Sequence, residues 1–150
     1  MNKPMKKIVF GCLSFIIVAT TMIGCGPNNV KEKETEKIEL TYIDEDGTKI
    51  NKSDKVVNET KKLGELEFKN ISIKESGNLT KLEFDAYNSS EKILYEKEVT
   101  IVLLNEKNEE IKRLKNFYIG TISPKQTVKG RREITLDHTE VYDIKFLENK

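Results

Sequence analysis

The chain has 150 residues, with 26 basic and 25 acidic side chains, a single histidine, two cysteines and no tryptophan. A near-neutral balance gives no electrostatic case for nucleic acid, and one histidine offers Zn²⁺ at most one imidazole. No GxxxxGK[ST] loop, GxGxxG turn or GxSxG elbow occurs, so the phosphate-cradling, dinucleotide-binding and α/β-hydrolase chemistries lack their sequence elements.

Reading from the start, Lys3, Lys6 and Lys7 precede an apolar run from Ile8 to Ile23 that contains no charge. This is the n-region and h-region pattern of a secretory signal, expected over residues 1–24. At about 16 residues the run falls short of the roughly 20 that a comfortable membrane-crossing helix needs. It ends in Met22-Ile23-Gly24-Cys25, followed by the polar Gly26-Pro27-Asn28-Asn29.

Those four residues resemble the lipobox of bacterial lipoproteins. The resemblance implies cleavage between Gly24 and Cys25, diacylglycerol on the Cys25 thiol (the lipid attachment site, open to palmitate labelling), and a mature protein held on the extracytoplasmic face of the cell membrane. Two acyl chains at about 0.8 kcal/mol per buried methylene anchor firmly. Cys12 lies within the h-region and is expected to leave with the signal. With Cys25 committed to lipid, the mature chain has no free thiol. Neither a disulfide nor a Cys/His dyad is then available, so stability must come from packing. Removal of residues 1–24 leaves 23 basic and 25 acidic side chains.

Residues 25–37 alternate lysine and glutamate after Val30, which reads as a hydrated tether. Residues 38–63 read as a short β-hairpin and linker: Ile38, Leu40 and Tyr42 alternate with polar residues, and Asp44-Glu45-Asp46-Gly47 turns the chain toward Ile50. Asp44 and Asp46 are the weak metal candidates, because Asp-x-Asp-Gly matches part of a Ca²⁺ loop but lacks its later ligands. Asn51 to Lys62 is a polar stretch.

Residues 64–150 carry strand signals at roughly ten-residue spacing. Leu66 and Phe68 share one parity and Ile71 and Ile73 the other, which places a bulge between them. Leu82, Phe84 and Ala86 point one way. Residues 98–104 are apolar at Val99, Ile101 and Leu103 and also at Val102 and Leu104, as in a central strand covered on both faces. Strands then follow over Ile111 to Ile119, through Val128, Ile134 and Leu136, and through Tyr142, Ile144 and Phe146. The expectation is an all-β, antiparallel, Ig-like β-sandwich of about seven strands.

The order of Gly64-Glu65-Leu66-Glu67-Phe68, Phe84-Asp85-Ala86-Tyr87-Asn88-Ser89-Ser90, Val99 to Leu104, Ser123-Pro124-Lys125-Gln126-Thr127 and Tyr142-Asp143-Ile144 resembles the Ig-like FxLYD-type domains of Gram-positive surface lipoproteins. The likeness spans about residues 64–147 and implies a β-sandwich, with no catalytic residues to carry over. Lys125 stands where a glycine usually follows the proline, and Asn105-Glu106-Lys107-Asn108 stands where Asp-x-x-Gly is usual.

The functional expectation is a non-catalytic binding or structural module without a cofactor. Its partners would be the membrane, through lipid, and an envelope protein or wall polymer. The alternative is a small solute- or cation-binding lipoprotein using Asp44, Glu45 and Asp46, or the basic group Lys125, Lys129, Arg131 and Arg132. Alternation turns Lys129 and Arg131 outward, as on a solvated face. His138, between two strand-like runs, reads as an exposed turn histidine. The Asn-x-Ser/Thr strings at Asn51, Asn58, Asn70, Asn78 and Asn88 read as chance in an asparagine-rich chain.

Overall fold

Alternation of apolar and polar side chains builds two antiparallel sheets, seen in a computed structural model that describes residues 38–149. The signal, Gly24, Cys25 and the tether lie outside the described residues. The elements are β1 (Thr41–Ile43), β2 (Lys49–Asn51), α1 (Asp54–Val57), β3 (Lys61–Leu63), β4 (Leu66–Ser76), β5 (Leu79–Asn88), β6 (Leu94–Leu104), β7 (Glu110–Ile122), β8 (Thr127–Thr135) and β9 (Asp143–Glu148). One sheet has the order β1-β2-β4-β5-β8, with β3 also paired to β4; the other is β7-β6-β9. The chain crosses between sheets after β5, returns after β7 and crosses again after β8. Two layers thus enclose one core, the expected sandwich.

Phe68 and Phe84 from the first sheet meet Phe117 and Phe146 from the second. Phe68 stacks on Phe146 with ring centroids 3.7 Å apart, and Phe84 lies edge-on to Phe68 at 5.6 Å and to Phe146 at 5.1 Å. Leu82, Phe84 and Ala86 all face this core. The β4/β5 register slips between Lys69 and Ser72, where Asn70 adopts a φ of 52°. That bulge keeps Phe68, Ile71 and Ile73 buried together despite their change of parity. β6 is the centre of the second sheet. Its Val99, Ile101 and Leu103 enter the core, while Val102 and Leu104 are buried outside that cluster.

The polar stretch after Asn51 is structured rather than a plain linker. It forms α1 and β3, and Val56 is fully buried in the core. Its polar residues are internal because they have partners. Asn51 Nδ2 donates to the carbonyls of Thr139 and Val141, at 2.7 Å each, and Ser53 Oγ donates to that of Tyr142. Residues 38–149 accordingly fall within one compact unit.

The expected hairpin forms, with β1 and β2 paired antiparallel around the turn at Asp44 to Gly47; Ile38, ahead of β1, and Tyr42, on this edge strand, remain about half exposed. Leu136 does not join Ile134 in the core. β8 ends at Thr135, and Leu136 turns outward with φ 76°.

The positions that depart from the resembled pattern have the backbone that glycine or aspartate would serve. Lys125 has φ 56° in the turn closed by Gln126 N donating to Ser123 O, and Asn108 has φ 61°. Asn105 Oδ1 accepts from the amides of Lys107 and Glu109, the local bonding a turn aspartate makes. Asn70, Asn78 and Asn116 also have positive φ, which asparagine tolerates better than most residues. Many of the asparagines thus serve turns or breaks in strand register, while Asn51 and Asn88 are buried hydrogen-bonding residues.

Candidate functional site

The residues singled out from sequence do not converge on one place. At the β1–β2 turn, Asp44 Oδ1 accepts from the amides of Asp46 and Thr48 at 3.0 and 2.9 Å. One of its two carboxylate oxygens is therefore occupied in shaping the turn, and among the described residues no group of three His, Cys, Asp or Glu is placed to hold a metal ion. The basic group is dispersed. Lys125 Nζ donates to Ser89 O and pairs with Glu91, and Arg131 pairs with Glu133. Lys129 and Arg131 lie opposite Asp85 and Glu83 on the outer face, whereas Arg132 lies opposite the inward-facing Leu82.

His138 is not the exposed turn residue expected. It is half-buried because residues 136–142 fold back over the end of the sandwich, its amide donating to Thr80 Oγ1 at 2.9 Å. Its Nε2 is buried without a hydrogen-bond partner. The neighbouring carboxylate does not orient the imidazole, since Asp137 accepts from Lys49 Nζ and from the Thr139 amide, at 2.8 Å each.

This Asp137–Lys49 contact fastens β2 to the β8–β9 loop. Partial burial opposes ionisation of Asp137, but hydrogen bonds from Lys49 and Thr139 outweigh it and lower its pKa to about 2. An unfolded aspartate titrates near about 3.9. The contact therefore stabilises the fold fully above that pH and fades as the pH falls toward 2. Asp137→Asn should flatten the dependence of the urea midpoint on pH between about 5 and about 2, without abolishing it, because Glu59 is likewise lowered to about 2. An unchanged pH slope would contradict this role.

The edges of the sandwich differ in how open they are. β8 carries Lys129, Arg131 and the inward-register Arg132, and β7 carries Lys112, Arg113 and Lys115 with several breaks in register against β6. Charges and bulges of this kind discourage strand addition. Along β6, however, β9 pairs only with Val99 to Leu104, so the β9-side edge of residues 94–98 has no ladder partner among the described residues. Beside it lies a groove of about 580 Å³ between the β3–β4 turn, this part of β6 and the end of β9. Leu63, Leu66 and Leu94 supply its apolar lining, and Tyr95, 69% exposed, stands at its side. Nothing in the sequence signals this groove, which exists because β9 is much shorter than β6.

No protein-family model, curated protein or solved structure matches the chain.

Proposed function

We propose that the chain is a bacterial lipoprotein, cleaved between Gly24 and Cys25 and held by lipid on Cys25 at the extracytoplasmic face of the cell membrane. Its β-sandwich, in this reading, is a non-catalytic module of the FxLYD type that contacts another envelope component. The observation that carries the proposal is Met22-Ile23-Gly24-Cys25 closing an apolar run behind three lysines. The sandwich is compatible with it, since its first described residue, Ile38, lies 13 positions past Cys25. Positive φ at Lys125 and Asn108, where the resembled pattern has glycine, is also compatible with the family assignment.

Palmitate supplied to cells should label the wild type but not Cys25→Ser, which should also remain unprocessed. An unlabelled, unprocessed wild type would remove the anchor. Crosslinking of the membrane-held protein to an envelope protein or wall polymer supports the module, and a chain that crosslinks to nothing loses that role.

A further inference from the structure

We propose that the groove beside Leu94 to Glu98 receives an extended, lysine- or arginine-bearing peptide segment of a partner protein. This deepens the binding-module reading above and rests on it. Charge favours such a segment. Among the described residues, Glu65, Glu96, Glu98 and Glu148 border the groove, and Lys97 is the one basic residue that does. None of the four carboxylates forms an ion pair among the described residues, although carboxylates elsewhere on the surface commonly do. On the outer face of the first sheet, for example, Glu67, Glu83 and Glu133 each have a lysine or arginine. Asn149 Nδ2 donates to Glu98 at 3.0 Å, and the described part of the groove carries a net negative charge, which attracts a cationic segment and repels an anionic one.

Shape and backbone favour it as well. An extended peptide presents alternate side chains to opposite sides. Apolar residues of one parity would settle on the partly buried Leu63 and Leu94, while basic residues of the other would meet the carboxylates at the rim. Its main chain would lie along the edge of β6 that no described strand pairs, as in strand-addition complexes. Glu96, at φ 41°, interrupts that edge. Side chains, rather than a long ladder, would then supply most of the recognition. Tyr95 fits this role, since its exposed ring offers a face to a lysine or arginine.

The test uses the full chain purified from membranes in a mild detergent, and a fluorescein-labelled peptide alternating lysine and valine. Fluorescence anisotropy should show binding that weakens as salt rises, and no binding of the matching glutamate–valine peptide. Glu65→Gln, Glu98→Gln and Glu148→Gln combined should raise the Kd about tenfold or more, as should Tyr95→Ala. Glu45→Gln, Glu106→Gln and Glu133→Gln combined change the net charge equally and should leave the Kd unchanged. Absence of binding, or equal weakening by both triple variants, overturns the groove assignment. If the membrane-held protein then still crosslinks to an envelope component, the module reading survives without the groove. If it crosslinks to none, that reading falls as well.

Discussion

Asn88→Ala should destabilise the domain by about 3 kcal/mol, a loss far beyond that of an ordinary polar substitution. Asn88 is fully buried at the end of β5, where the chain leaves the first sheet. Its Nδ2 donates to the carbonyls of Lys92, Ile122 and Ser123 at 2.7, 3.0 and 3.2 Å, and its Oδ1 accepts from the Ser90 amide and hydroxyl. One side chain therefore joins the β5–β6 crossing to the end of β7 in the opposite sheet. Alanine would take the amide donor from all three carbonyls, leaving Lys92 O only the 3.2 Å bond from Ser90 Oγ, and would open a cavity; each buried group so orphaned costs about 1–3 kcal/mol. Aspartate should be no better, because a carboxylate cannot donate to three carbonyls. Urea unfolding gives the difference directly, and Tm should fall by roughly 10 °C. A loss below about 0.5 kcal/mol, the size of a neutral surface change, would mean that Asn88 does not hold the crossing.

Gly130→Ala should cost about 2 kcal/mol or more by overpacking. Gly130 lies opposite Phe84 on the inward side of β8, and a Cβ built on it would overlap three ring atoms of Phe84. The ring has little room to retreat, with Phe68, Phe117 and Phe146 packed around it. The glycine is required here for space, so a larger residue such as valine should be worse. Phe84→Leu alone is destabilising, but combined with Gly130→Ala the two losses should be less than additive by about 1 kcal/mol or more. Strict additivity would show that the ring does not restrict this position.

Much of the sandwich was legible because its strands obey the period-two rule. Leu82, Phe84 and Ala86 announced a buried face, the parity change from Phe68 to Ile71 announced the bulge, and apolar residues of both parities between Val99 and Leu104 announced the central strand. Legibility failed where polarity did not track exposure. Asn51 and Ser53 look like linker residues, but their partners are carbonyls some ninety positions later, and only the closed fold brings these together. The same loop closure half-buries His138. The β1–β2 hairpin was legible in the alternation of Ile38, Leu40 and Tyr42, while the half exposure of Ile38 and Tyr42 follows from their place at the margin of the sheet. The lipid-attachment reading depends only on local sequence, at Gly24 and Cys25. The groove depends on the relative lengths of two strands, and that comparison is absent from any local window.

Mass spectrometry of the N-terminal peptide of the membrane-isolated protein tests the lipoprotein reading most directly. The account expects a peptide that begins at Cys25 and carries diacylglycerol on its sulfur. A mature chain beginning elsewhere with Cys25 unmodified, or one that retains residues 1–24, would contradict it.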